Sequence, residues 1–188
     1  MRITAVFQVI GLALILQNVT TAQSADRFQA GVQFTGFHIN QLDEGSVGIG
    51  GRIAYDLLDE GAALSLEGEF NYFPQNPSGN FGESQFLTGV KAGFASERFG
   101  LFAKLRPGFV HFAGGDFAER NHGTATDFAL DAGGVLEYRL SGRTALRLAW
   151  GDTMVFFPKP VFTGSSTTPK PAGLTHNLQG SIGVMFRF

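Results

Sequence analysis

The sequence predicts an all-β fold: an eight-stranded antiparallel up-and-down β-barrel that crosses a membrane, preceded by a cleaved signal peptide. Three observations predict it. Apolar residues recur at every second position in eight separate runs, which is the pattern of strands with two different faces. The other face of these runs carries glycine, alanine and serine with charges of both signs. Short and long connections alternate along the chain, as in a barrel with tight turns at one end only.

The composition excludes several other classes of protein. The chain has 188 residues with 26 glycines, 20 phenylalanines and no cysteine, and only 16% of its residues are charged. A typical soluble domain has about 25% charged residues, while the 44% hydrophobic content argues against disorder. A net charge of −2 gives no electrostatic reason to expect nucleic acid as a partner. Without cysteine, disulfides, thiolate metal sites and cysteine nucleophiles are excluded.

The first segment has the features of a secretory signal peptide. Arg2 is the only charge before Asp26, and a short apolar core over residues 9–16 precedes a small-residue stretch over residues 20–25. This core is too short for a transmembrane helix, which needs about 20 apolar residues. We predict cleavage after Ala22, with Ala25 as the second choice. The predicted organisation is a signal peptide over 1–22 and a single barrel domain over 23–188.

Eight runs then follow in which one face is bulky and apolar. The first covers residues 28–40, and the last ends at Phe188. In chain order, the apolar face consists of Phe28, Ala30, Val32, Phe34; Val47, Ile49, Ile53, Tyr55, Leu57; Leu64, Leu66, Phe70, Tyr72; Phe86, Val90, Ala92, Phe94; Leu101, Ala103, Leu105, Phe109; Phe128, Leu130, Ala132, Leu136, Tyr138, Leu140; Leu146, Leu148, Trp150; and Leu178, Ile182, Val184, Phe186, Phe188.

The composition of the two faces indicates which one meets lipid. A soluble barrel would pack its bulky residues inward and carry a dense Lys/Glu coat outside, and that coat is missing here. An eight-stranded barrel has an interior only wide enough for side chains to fill. Small residues and paired charges suit that narrow interior, and the bulky face suits lipid. The pattern is therefore apolar outside and polar inside.

Twelve charged residues fall on the inward face. Since an uncompensated buried charge costs several kcal/mol, we expect them to form salt bridges that plug the interior; a gated ion path through the same charges is the alternative. Lys104 and Arg106 lie on the strand next to Asp131 and Glu137, so that pairing between these strands is available. The predicted set is Arg52, Asp56, Glu67, Glu69, Lys91, Lys104, Arg106, Asp131, Glu137, Arg139, Arg147 and Arg187.

The connections suggest an orientation. The short links lie around residues 58–62, 96–100 and 141–143, whereas long links rich in Gly, Pro, Ser, Thr and Asn cover 74–84, 113–126 and 158–173. If the signal peptide delivers the N-terminus to the periplasm, the short turns face the periplasm and the long loops face outward. We expect these loops to contact an extracellular ligand whose identity has no signature in the sequence.

The C-terminal run carries a family resemblance. Ile182, Val184, Phe186 and Phe188 alternate up to a terminal aromatic residue, which resembles the C-terminal signal that bacterial outer-membrane barrels present to the barrel assembly machinery. The whole mature chain resembles the small eight-stranded outer-membrane barrels, namely the outer membrane protein β-barrel domain proteins and the OmpA N-terminal, OmpX-like and OmpW-like proteins. Residues 100–109 and 130–138 are similar to segments of that family. The resemblance implies the outer membrane of a Gram-negative bacterium, with Phe supplying most of the aromatic girdles.

Catalytic and cofactor chemistry has little support in the sequence. The four histidines lack zinc-ligand spacing, and the glycine-rich stretches at 48–51 and 133–134 do not precede helices. A hydrolase set of Ser84, His111 and Glu83 can be imagined on the outward rim, but no local motif supports it. We therefore predict no catalytic residues, no metal and no cofactor.

The prediction for function is a non-enzymatic outer-membrane barrel, structural or surface-interacting, with a lumen plugged by salt bridges. The alternatives are a narrow, porin-like transport barrel for small or apolar solutes and, third, a secreted lipocalin-like binder. The expected partners are outer-membrane lipid and the assembly machinery, without nucleic acid, and the expected state is a monomer.

Two residues do not fit the strand pattern. Pro107 lacks the N–H that a closed ladder needs, and we expect a bulge or kink there. Asp152 falls on the lipid face beside Trp150. A bulge at Gly151 would turn it inward; otherwise it must lie near the lipid headgroups.

Overall fold

A computed structural model describes residues 27–40, 42–58, 61–74, 82–113, 123–162 and 168–188. The predicted signal peptide lies outside these residues. Within them, no helix is long and apolar enough to cross a membrane. The strands are β1 (Phe28–Ile39), β2 (Glu44–Leu58), β3 (Gly61–Phe73), β4 (Gly82–Ala95), β5 (Phe99–Ala113), β6 (Ala125–Arg139), β7 (Thr144–Phe157), β8 (Gly173–Thr175) and β9 (Leu178–Arg187).

From β1 to β7, each strand pairs with the next one along the chain in antiparallel orientation, and β1 pairs with β9 to close the barrel. The three-residue β8 and the longer β9 both pair with β7, in one continuous register. They form one barrel strand, interrupted at His176 and Asn177, where the Thr153 N–H donates to the Asn177 carbonyl at 2.8 Å. The predicted eight-stranded up-and-down barrel is thus confirmed.

The strands are steeply tilted. The tilt can be measured by tracing one row of paired residues around the barrel. The row starts at Phe37 on β1, passes in turn through β9, β7, β6, β5, β4 and β3, and reaches Asp56 on β2. The Asp56 N–H donates to the Arg27 carbonyl at 2.8 Å, so one circuit shifts the register by 37 − 27 = 10 residues. The outward hydrophobic residues of β5 extend over ten residues, from Phe99 to Phe109; with a rise of about 3.3 Å per residue and a tilt of about 40°, they span about 25 Å of height. This is the height of the apolar band of an outer-membrane barrel.

The outer wall is apolar, as the alternation of the sequence predicts. Its large hydrophobic side chains are widely exposed, including Phe94 at 76% and Val47 at 74%. Aromatic residues concentrate near the two ends of this band, and most of them are phenylalanine. Near the short turns they are Phe94, Phe99, Tyr138, Phe186 and Phe188, and near the long loops they are Tyr72, Phe86, Phe109, Phe128 and Phe156.

Pro107 causes no bulge, so this part of the sequence-based expectation is wrong. β4 and β5 keep one register on both sides of it, from Leu87↔Gly108 to Val90↔Leu105, and only the two intervening pairs are missing. The barrel tolerates the proline because only the pairing of β5 with β4 is interrupted there. Its other neighbour, Leu130 on β6, stays paired with it.

Asp152 stays on the outer face, because Gly151 pairs in register with both neighbouring strands and forms no bulge. It lies eight residues from Thr144, toward the outward edge of the apolar band. Its carboxylate accepts the Asn177 N–H at 2.8 Å and lies 2.5 Å from the His176 Nδ1 atom. Asp152 therefore bridges the interruption between β8 and β9.

Asp152→Ala should lower the free energy of unfolding by about 1 kcal/mol, because the Asn177 N–H loses its acceptor. Urea unfolding in detergent micelles measures this, with Lys159→Ala, at an exposed position beyond β7, as the control. An Asp152→Ala protein as stable as Lys159→Ala would contradict the bridging role.

Candidate functional site in the barrel interior

The interior is filled in three layers between the periplasmic and outward ends. An ion-pair layer occupies the middle of the barrel, a layer of amides and hydroxyls lies above it, and an apolar layer lies beneath the outward loops. Each layer consists of inward-facing residues at alternate positions, as the strand pleat requires. Its members come from several strands, so the barrel closure brings them together.

Arg106 is at the centre of the ion-pair layer and is fully buried. It donates to the Asp131 carboxylate from Nε at 2.8 Å and from Nη2 at 2.7 Å, and it also pairs with Glu69. Lys104 shares Asp131 at 2.9 Å, and Arg52 donates to Glu69 from Nε at 2.9 Å. Two carboxylates thus hold three cations in one continuous chain.

Arg147 is the centre of the other half of this layer. It reaches across the interior to Glu67, at 2.8 and 3.0 Å, and donates to Glu137 on the adjacent strand at 2.7 Å. Lys91 donates to the same Glu137 carboxylate at 2.6 Å and lies 4.2 Å from the Phe102 ring centroid. Arg106 approaches Glu67 at 3.8 Å, which links the two halves.

The structure therefore places nine of the twelve predicted charges in one network. Asp56 and Arg187 form a separate pair at 3.2 Å near the periplasmic end, where Gln29 also donates to Asp56 at 2.6 Å. Arg139 faces the same end and makes no ion pair with any other described residue. Two buried donor atoms, Arg52 Nη1 and Arg147 Nε, have no partner within the described residues.

Sequence reasoning missed the layer of amides and hydroxyls. Gln33 donates to Asn71 at 2.7 Å, Asn71 donates to Gln85 at 2.8 Å, and Gln85 donates to Gln179 at 2.9 Å. Thr153 donates to Gln179 at 2.7 Å and approaches Asp131 at 3.3 Å, which connects this layer to the ion pairs. These residues lie at the same alternating inward positions as the charged residues, so the alternation alone would have identified them as interior residues.

Sequence reasoning also missed the apolar layer. Phe112 and Phe157 stack at 5.8 Å between ring centroids, and Phe37 and Phe73 approach at 5.7 Å. All four rings are at most 2% exposed, although they point into a barrel whose middle is polar. Continuing the alternating pattern to the strand ends near the long loops would have placed these residues on the interior face. Among the described residues, the buried members of this cluster are Phe37, Ile39, Leu42, Phe73, Leu87, Val110, Phe112, Ala129, Val155, Phe157 and Val161.

The imagined hydrolase set does not come together. Ser84 and His111 are directly opposite each other on the outer face of β4 and β5, and the His111 Nδ1 lies 2.7 Å from the Thr126 hydroxyl. Glu83, however, faces the interior at 2% exposure, where Ser46 donates to it at 2.7 Å. Among the described residues, no group of three or more His, Cys, Asp or Glu side chains is arranged to hold a metal ion.

Comparison with protein families identifies the class of barrel. Residues 8–188 match the family described as the outer membrane protein beta-barrel domain. The chain belongs to this family. As a member of the outer membrane protein beta-barrel domain family, with an apolar wall of matching height, it is an integral protein of the bacterial outer membrane.

Solved structures show the same fold. Neisserial surface protein A aligns with 86% of this chain and 96% of its own, at 14% identity and a TM-score of 0.53. The N-terminal barrel of *Pseudomonas aeruginosa* OprF aligns with 88% of this chain and 100% of its own, at 14% identity and a TM-score of 0.54. Ail, the attachment invasion locus protein of *Yersinia pestis*, aligns with 86% and 97%, at 12% identity and a TM-score of 0.51. A search of curated protein sequences gives no match.

Proposed function

We propose that this protein is a non-enzymatic outer-membrane barrel that conducts no solute, with a structural or surface-interacting role. The observation that carries the proposal is the filling of its interior by three successive layers. Because the layers lie one above another, a solute would have to displace ion pairs, an amide network and packed aromatic rings in turn. The short turns place the ion pairs on the periplasmic side of the apolar layer.

Energetics support a closed interior. Arg52, Glu67, Glu69, Arg106 and Asp131 are each at most 3% exposed. Moving one of them to admit a hydrated ion would leave its partner charged in a poorly hydrated space, which costs several kcal/mol. The apolar layer above fills the lumen with hydrophobic side chains, and the buried carboxylates at its level are Glu83, opposite Phe112, and Asp127, opposite Val110.

The outward connections are the part of the chain available for a surface role. They span residues 40–43, 74–81, 114–124 and 158–172. The described part of the last one is tied to the rim: Val161 and Lys170 pair through backbone hydrogen bonds of 3.0 and 2.9 Å, and the Lys170 ammonium donates to the Asn40 carbonyl at 3.0 Å. Loops held on a rigid rim suit contact with molecules outside the cell.

The absence of transport can be tested by liposome swelling with a small sugar. Proteoliposomes carrying the folded protein should swell no faster than liposomes without protein, whereas liposomes with a water-filled porin should swell in proportion to the protein inserted. The shift in gel mobility on boiling verifies that the barrel is folded. A swelling rate that rises with the amount of this barrel would overturn the proposal in favour of the transport alternative.

A further inference from the structure

The periplasmic mouth of the barrel is a basic depression that the closed interior does not require. Two adjoining shallow hollows open there. They share Gln29, Glu137, Arg139 and Arg187 as lining residues, so they form one continuous mouth. The larger hollow is also lined by Arg143, in the turn between β6 and β7.

The carboxylates that line this mouth already have cationic partners. Glu137 accepts from Lys91 at 2.6 Å and from Arg147 at 2.7 Å. Asp56 pairs with Arg187 at 3.2 Å. Neither carboxylate is therefore available to neutralise the remaining arginines at the rim.

Arg139 and Arg143 carry the excess positive charge. Arg139 is half-buried on the inner face of β6, and Arg143 is exposed in the turn that follows. Within the described part of the chain, neither of them is paired with a carboxylate. The Arg143 backbone is held in place, since its N–H donates to the Ser141 hydroxyl at 3.3 Å and its carbonyl accepts the Arg187 N–H at 2.8 Å. Arg143 and Arg187 are thus neighbours through their backbones, and both line the larger hollow.

We propose that this mouth binds a phosphate group through Arg139 and Arg143. The guanidinium is planar and offers paired N–H donors that match the geometry of phosphate oxygens. Among the described residues that line the hollows, the charged side chains without an oppositely charged partner are Arg139 and Arg143. The phosphate can come from a small periplasmic compound or from a lipid headgroup at the inner leaflet, and both sources present the same oxyanion.

The test is a titration of inorganic phosphate into the folded barrel in maltoside micelles, which contain no phosphate. Backbone amide shifts are followed by NMR at constant ionic strength. We expect saturable shifts at residues 139–144 and 187. The Arg139→Gln/Arg143→Gln variant should bind at least tenfold more weakly. Lys159→Gln, at an exposed position beyond β7 and at the opposite end of the barrel, should bind like the wild type.

The same titration in phospholipid nanodiscs distinguishes the two sources. If a headgroup occupies the mouth, these amides have their phosphate-bound shifts before any phosphate is added; if the ligand is a soluble compound, they titrate as in micelles. Either result supports the site. Shifts that do not saturate, or an equal loss of binding in the Lys159→Gln variant, would overturn it. Gel mobility without heating verifies that each variant is folded.

Discussion

Arg106→Ala is expected to lower the free energy of unfolding by about 3–5 kcal/mol, the cost of breaking a buried ion pair by removing one partner. Arg106 pairs with both Asp131 and Glu69 and is fully buried. Without Arg106, Asp131 keeps Lys104 as its cationic partner and Glu69 keeps Arg52. The measurement is reversible urea unfolding in micelles or liposomes, followed by tryptophan fluorescence and gel mobility.

Arg98→Ala is the matched control for this substitution, because Arg98 is exposed at the periplasmic turn before β5. It should change the unfolding free energy by less than about 0.5 kcal/mol. An Arg106→Ala barrel that is as stable as Arg98→Ala would mean that water fills the interior and screens the charges. That result would contradict the buried network.

Leu105→Arg should destabilise the barrel by about 2–4 kcal/mol, the cost of placing arginine on the lipid face near the bilayer midplane. Leu105 is 50% exposed on the outer wall. Starting at Phe28, near the periplasmic end of β1, the row of paired residues climbs the barrel wall and returns to β1 ten residues higher after eight strand-to-strand steps. Leu105 is reached after four of these steps, so it lies about halfway up the band. Unfolding from lipid vesicles measures the effect.

The control for the lipid face is Leu140→Arg. Leu140 is 55% exposed, just beyond the periplasmic end of β6, where arginine should cost about 0–1 kcal/mol. The two leucines thus separate depth in the membrane from loss of the leucine side chain. Equal costs at the two positions would show that the wall around Leu105 does not face lipid.

The faces of the strands were predictable because the pleat fixes them. Alternation puts Leu105 and Arg106 on opposite faces, and the composition of the faces then puts Leu105 outside and Arg106 inside. The same alternation identifies Asp131, on the neighbouring strand, as an available partner for Arg106. The structure has these three residues where the alternation puts them. The strand count was predictable for the same reason, since each run has its own alternating stretch between turn residues.

Partners across the interior could not be predicted from neighbouring strands. Glu137 was considered as a partner for the adjacent β5, but it pairs with Lys91 on β4, one strand further away. Glu67 and Arg147 are 80 residues apart in the chain and meet only because the barrel is narrow. Such contacts depend on the register shift of ten residues around the barrel, and the sequence has no local signal for that shift.

The apolar layer was missed for a different reason. The sequence argument assumed that the bulky side chains face lipid, which holds in the middle of the strands. Phe112 and Phe157 are bulky but lie at inward positions, at the outward ends of β5 and β7. At the strand ends, the alternation of side chains between the two faces, rather than their size, determines whether they point inward. The position in the alternating pattern is therefore the more reliable guide there.

Single-channel recording in planar bilayers tests the central claim, a barrel closed by stacked layers, most directly. The wild-type protein should insert without producing current steps. A variant that combines Phe112→Ala and Phe157→Ala with Arg147→Ala removes side chains from both the apolar and the ion-pair layers, and it should produce steps if it folds. Discrete, voltage-driven current steps from the folded wild-type barrel would contradict the closed interior.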